Sequence, residues 1–512
     1  MTGLPWWKRS MMGLAAIVAA HAAMAEPPRL GTATPEAEPT QTPKFQYAGS
    51  GSCKLCHGLT REQAEQGPYK SSVDFIKLNE SKTWETEDKH SVAYKQLLVL
   101  DGRAQRMGRL MKVDVTQPSA GCLGCHSAST AELQERVGDQ FDRTEGVSCE
   151  NCHGPLSAYS YPHTQVSFRT KSTEEWAKVG FVDLRSPERQ AEKCLTCHVG
   201  NVAEGKLLTH EMYASGHPPL PSIEVATFAN LIPRHWWLNS ERKDLKLRQA
   251  LGYEEGQKEQ VKMALVGAAV ALKVSMKLLA DEAGKPGSAP VPGQVWPDYA
   301  RFDCWSCHHD LKRDGWRQTK GSEELPPGRV PVAEWPLTLV ELGIEHLAQS
   351  DPAAAALRSD LDRYRKALGE QVAARPFGRP SSVARAADDF AAWADVLTRK
   401  LAASKVDRTT ASRLLRRLLE TASRSTPDYD SARHVGWTVV LLVKEVGTSL
   451  DDRPQIRAIL DRLTKGLKLD LPAGRAYEIE GQIADAFRVI GDYEPAEFTA
   501  QLQALLALLP PA

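Results

Sequence analysis

The 512-residue chain has the composition of an ordinary globular protein, 42% hydrophobic and 25% charged. Its 64 Lys and Arg balance 64 Asp and Glu, so it lacks the clustered positive excess typical of a nucleic-acid-binding protein. The length exceeds that of a typical single domain, and we expect two domains.

The first 25 residues are typical of a secretory signal. Lys8 and Arg9 give a positive start, Met11–Ala20 is apolar, and Ala23-Met24-Ala25 supplies the small residues that precede cleavage. The alternative is an uncleaved membrane anchor, but the apolar stretch is shorter than the ~20 residues of a spanning helix. We therefore predict a signal peptide over 1–25, export to the periplasm, and no membrane-spanning segment in the mature chain.

Residues 26–46 are rich in Pro, Thr, Ala and Glu and show no periodic pattern. Such a segment cannot bury enough apolar surface to fold, and we predict a flexible linker.

All ten cysteines belong to one pattern, Cys-x-x-Cys-His, which occurs five times. The copies are Cys53, Cys56 and His57; Cys122, Cys125 and His126; Cys149, Cys152 and His153; Cys194, Cys197 and His198; and Cys304, Cys307 and His308. Two thiols at this spacing reach the two vinyl groups of a porphyrin, and the histidine that follows binds its iron. Zinc sites combine such pairs into four-ligand sets, and disulfides would not explain the recurring histidine. The sequence predicts five covalently bound haem c groups.

Six further histidines lie in the stretch that carries these motifs, and we predict that they supply the second axial ligands. They are His90, His163, His210, His217, His235 and His309. Histidine on both sides of the iron gives a low-spin, low-potential, coordinatively saturated haem, whereas methionine would raise the potential. His309 directly follows His308, so it could bind only a neighbouring haem.

Three segments resemble multihaem cytochromes of the hydroxylamine-oxidoreductase-like group, which includes tetrahaem cytochrome c-554. They are Trp84–His90, Gly146–Pro155 and Gly216–Pro218, within a region of roughly residues 50–310. The resemblance implies closely stacked, mostly bis-histidine haems in the bacterial periplasm, with distal ligands at His90, His163 and His217. The tetrahaem proteins have one haem fewer than this chain. Pentahaem nitrite reductases have Lys in one attachment motif, and this sequence has no such motif.

These patterns predict a mainly α fold, with a loop-rich pentahaem cytochrome domain over 47–325 and an all-α bundle or helical-pair domain over 326–512. A long core helix is expected around 255–283. Four apolar stripes at helical spacing mark the second domain. They run over Val383–Leu397, Ala411–Ala422, Ile456–Leu467 and Ile479–Ile490.

The function expected from these features is electron transfer to a redox partner protein. Loss of Lys8 and Arg9 with the signal leaves 62 basic against 64 acidic side chains, and haem propionates add negative charge. An acidic protein favours a partner with a basic docking patch. The alternative is a redox enzyme that acts on hydroxylamine or nitric oxide at one five-coordinate haem. The sequence leaves the oligomeric state open.

Overall fold

The fold is mainly helical, which confirms the predicted class. The computed structural model describes residues 45–67, 74–127, 138, 141–284, 296–308, 329–424, 427–447, 450, 452–467 and 493–510. These residues contain no β-strand, and two isolated bridges join Asn201 with Lys206 and Phe302 with Val332. The predicted signal peptide, nearly all of the linker, and His309 lie outside the described residues.

Short helices joined by loops and 3₁₀ turns make up the first part of the chain. They are α1 Gly51–His57, α2 Arg61–Gln66, α3 Glu80–Thr86, α4 Ala93–Leu97, α5 Arg103–Met111, α6 Leu123–His126, α7 Cys149–His153, α8 Thr173–Ala177, α9 Pro187–His198, α10 His210–Ala214, α11 Val225–Leu231 and α12 Leu245–Ala250. Side-chain caps begin several of them. The side chain of Ser186, for example, accepts the backbone N–H of Arg189 before Pro187 starts α9.

Longer helices follow, and they carry three of the four predicted apolar stripes. They are α13 Glu259–Gly284, α14 Leu337–Ser350, α15 Ala356–Ala373, α16 Pro380–Ala403, α17 Arg408–Ala422, α18 Tyr429–Val446, α19 Pro454–Leu467 and α20 Pro495–Leu508. The stripe of α17 is buried from Ala411 to Ala422, as is that of α19 from Ile456 to Leu467. The fourth stripe, Ile479–Ile490, lies outside the described residues.

Helix α13 is the predicted core helix. Among the described residues it is the one helix long and apolar enough to cross a membrane, and 78% of its most apolar window is buried within the protein. It packs against α9 and α11 of the earlier part and against α14, α16 and α18 of the later part. Its apolar character is therefore that of a helix surrounded by other helices.

One continuous hydrophobic core follows from this packing. It runs from Leu195 in α9 through α13 to Leu505 in α20. Two small satellite clusters, around Trp176 and around Leu123, support the loops of the motif-bearing region. The chain from Phe45 onward forms one compact unit. The predicted boundary between residues 325 and 326 stays a prediction.

Candidate haem-binding sites

Four of the five Cys-x-x-Cys-His motifs lie on helices that end at the motif histidine, namely α1, α6, α7 and α9. The fifth begins with the 3₁₀ turn Cys304–Ser306. Residues three and four positions apart share one face of a helix, so both thiols and the imidazole of a motif face the same side. None of the ten cysteines forms a disulfide. We number the sites 1 to 5 by their motifs in chain order.

Each motif histidine lies opposite one histidine from elsewhere in the chain. The pairs, with their ring-centroid distances, are His57 and His163 at 6.2 Å, and, each at 6.4 Å, His126 and His217, His153 and His235, His198 and His90, and His308 and His210. An imidazole nitrogen binds a metal ion at about 2.0–2.1 Å and lies about 1.15 Å from its ring centre, so two imidazoles on opposite sides of one ion have centroids about 6.3–6.5 Å apart. The five pairs fit a metal ion between their rings.

The second histidines come from 3₁₀ turns, one helix start and loops. His90 lies in the turn Lys89–Val92, His163 in the turn Pro162–Thr164, and His210 is the first residue of α10. His217 and His235 lie in loops. Five of the six histidines singled out in the sequence are thus each opposite a motif histidine, and the sixth, His309, lies outside the described residues.

Backbone carbonyl groups fix the protonation of three of these rings. The Nδ1 atoms of His126 and His163 lie 2.9 Å from the carbonyl oxygens of Ala93 and Tyr159. The Nδ1 atom of His217 lies 2.7 Å from the carbonyl oxygen of its neighbour Pro218. A carbonyl only accepts, so Nδ1 must carry the proton and Nε2 keeps its lone pair for a metal ion.

Carboxylates occupy the same position at two other histidines. Glu80 Oε2 lies 3.0 Å from Nδ1 of His57, and Asp88 Oδ1 lies 3.0 Å from Nδ1 of His90. Neither carboxylate was among the predicted site residues. Asp88 could have been found, because an acidic residue two positions before a ligand histidine can cap its turn. Glu80 is 23 residues from His57, and no local pattern joins them.

The pKa of a paired histidine depends on whether a carboxylate bonds its ring. Burial lowers the pKa of His198 and of His217 to about 4, so both rings are neutral at neutral pH and able to bind a metal ion. Burial also acts on His57 and His90, but the hydrogen bonds to Glu80 and Asp88 outweigh it and raise their pKa.

The motif cysteines bring neighbouring sites together. The thiol of Cys53 in site 1 lies close to that of Cys149 in site 3, and the thiol of Cys125 in site 2 lies close to that of Cys197 in site 4. The thiols of sites 3 and 4 are also within electrostatic reach of each other.

Site 5 lies against the later helices. The ring of Trp305, inside the fifth motif, is 6.3 Å from that of Tyr429 in α18. Phe302, just before the motif, packs against Phe377 at 4.9 Å. On the other side, the ring of Tyr213 is 6.1 Å from that of His217 of site 2, and its phenol is also within electrostatic reach of Cys304. Site 5 is therefore next to site 2.

Comparison with known families agrees with this geometry. Residues 52–154, which contain the motifs of sites 1 to 3, match the family model of cytochrome c554 and c-prime. This confirms the resemblance inferred from the sequence and implies covalently bound haem c. No curated protein and no solved structure matched the chain. Over residues 52–154, the chain is therefore similar to c-type cytochromes of the cytochrome c554 and c-prime family.

Proposed function

We propose that the protein is a periplasmic electron carrier with five haem c groups, each held by one Cys-x-x-Cys-His motif and ligated by one of the five histidine pairs. Bound haem supplies a reversible one-electron iron couple. The cysteines of each motif would hold the group covalently, and the two histidines of each pair would bind its iron.

The observation that carries this proposal is that every motif histidine has a second histidine at ligand spacing. An iron with two imidazole ligands has no vacant position for a substrate, but it can exchange electrons with little ligand rearrangement. A redox enzyme acting on hydroxylamine or nitric oxide would need at least one motif histidine without such a partner. All five have one, which favours the carrier over the enzyme.

We further propose that electrons pass through the sites in the order 1, 3, 4, 2, 5. The thiol contacts between sites 1 and 3 and between sites 2 and 4 support this order. So do the proximity of Cys152 to Cys194 and the position of Tyr213 between sites 2 and 5. The ends of the path are then sites 1 and 5. A basic patch on the redox partner would suit the acidic mature protein.

Two measurements on the mature protein test this function. Mass spectrometry of the denatured chain is expected to show five added haem masses. Electron paramagnetic resonance of the oxidised protein is expected to show low-spin iron throughout, and the reduced protein should not bind carbon monoxide. A high-spin haem that binds carbon monoxide in the unmodified protein would overturn the carrier proposal and favour chemistry at that haem.

A further inference from the structure

Glu80 and Asp88 are the carboxylates that contact the rings of paired histidines. All ten paired histidines are in the described part of the chain, and within it no other carboxylate is hydrogen-bonded to one of their rings; Asp298 bonds only the backbone N–H of His210. We infer that Glu80 and Asp88 lower the reduction potentials of sites 1 and 4. The inference rests on the proposed function, because it requires haem iron between the paired rings.

The physical reason is the difference between a carboxylate and a carbonyl acceptor. An N–H group that donates to a carboxylate forms a charge-assisted hydrogen bond, which moves the proton toward the oxygen and gives the imidazole some imidazolate character. Such a ring donates more electron density and stabilises ferric over ferrous iron. The backbone carbonyls beside His126, His163 and His217 are neutral, so their effect is smaller.

Both carboxylates are held in place by contacts that do not involve the histidine ring. Glu80 Oε1 accepts the backbone N–H groups of Lys77 and Leu78 at 2.8 and 3.0 Å. Asp88 is 5% exposed, and its Oδ1 also accepts the backbone N–H of His90 at 3.0 Å. A fixed charge that is shielded from water acts more strongly on nearby iron than an exposed one. Reduction adds one electron, from a neighbouring site or the redox partner, and no bond forms or breaks.

The variants Glu80→Gln and Asp88→Asn in the full-length haem-loaded protein test the inference. Glutamine keeps an oxygen for the backbone N–H groups, and asparagine remains a good cap for the turn that carries His90. We expect each variant to raise the midpoint potential of one of five redox transitions the most, as measured by optical titration, and the double variant to do so for two. Site 3 should shift less, because Glu80 and Asp88 are within electrostatic reach of His235 but do not bond its ring. Electron paramagnetic resonance on the same samples should show that all five irons stay low-spin.

Two control variants remove a negative charge nearby without touching a histidine. Glu85→Gln acts on the same helix as Glu80 and breaks an exposed ion pair with Lys54 of site 1, whose two charged atoms are 3.0 Å apart. Glu87→Gln acts one residue before Asp88, at an exposed position. Both should leave the potentials nearly unchanged.

The inference fails if all five irons stay low-spin and neither test variant raises any potential, or if the controls raise them equally. If one test variant loses its haem or becomes high-spin, the potentials of the other variant test the inference, because the two carboxylates bond histidines of different sites. The proposed function fails in a different way, through a high-spin haem in the unmodified protein.

Discussion

At the scale of the residue, the five histidine pairs differ in the angle between their ring planes. The planes are 20° apart for His57 and His163 and 31° apart for His210 and His308. The other three pairs lie between 68° and 83°. Iron has two d orbitals that can interact with the π electrons of its axial ligands. Parallel imidazoles raise the energy of one of these orbitals above that of the other, whereas perpendicular imidazoles raise the energies of both equally.

Two kinds of low-spin haem should therefore be visible in the electron paramagnetic resonance spectrum of the oxidised protein. We expect sites 1 and 5 to give rhombic signals and sites 2, 3 and 4 to give highly anisotropic ones, in a ratio of about two to three by integrated intensity. His163→Ala should remove one rhombic signal and create high-spin iron, and His217→Ala should do the same to an anisotropic signal. Loss of an anisotropic signal in His163→Ala would contradict the assignment.

The sequence allows prediction of the histidines that form the pairs but not of which histidine meets which motif. A motif such as Cys53 to His57 is local, and helical geometry alone brings its three side chains to one face. The partner His163 is more than a hundred residues away, and only the tertiary fold decides that it meets His57 and not another motif histidine. Glu80 was missed for the same reason.

At the scale of the element, α13 lies close to α11 at Gly267. A Cβ atom added there would lie 3.0 Å from both Cβ and Cγ2 of Val225, the first residue of α11. Val225 is buried and branched at Cβ, so its side chain has little freedom to move away. The apolar run of α13 indicates a core helix, but it does not indicate which helix lies against which glycine.

Replacing glycine by alanine at two helix positions measures this close approach. Alanine favours a helix by up to about 1 kcal/mol over glycine, so Gly466→Ala in α19, where nothing lies within 4 Å, should raise the free energy of unfolding slightly. Gly267→Ala should lower it, because overpacking in a core costs about 1–3 kcal/mol. Chemical denaturation of both variants compares them directly. Equal stabilisation by the two would show that α11 can move away from α13.

At the scale of the whole molecule, the shared core ties the sites to the later helices. The amine of Lys273 in α13 bonds Glu192 of α9 at 2.6 Å and Asp395 of α16 at 2.7 Å. Helix α9 carries site 4, so one side chain joins a motif-bearing helix to the bundle. The sequence predicts the motif-bearing region and the later helices. It does not predict that α13 is buried between them, because that depends on the tertiary fold.

Unfolding should accordingly be a single transition. Phe390 in α16 is 2% exposed, and its replacement by alanine should cost about 3–5 kcal/mol. We expect Phe390→Ala to shift the loss of helical circular dichroism and the change in haem absorbance to lower denaturant concentration by the same amount. If only the circular dichroism shifts, residues 326–512 form an independently folding domain.

The thiol contacts between sites also bear on how the protein must be made. Cys53 lies against Cys149, and Cys125 against Cys197, so a chain that folded before receiving its haem groups would hold thiols of different motifs side by side. In an oxidising compartment such thiols are prone to pair as disulfides. A cross-linked pair could no longer form thioethers, so one error would disable two motifs. If the protein carries haem at these sites as proposed, we expect haem attachment to precede collapse of the chain.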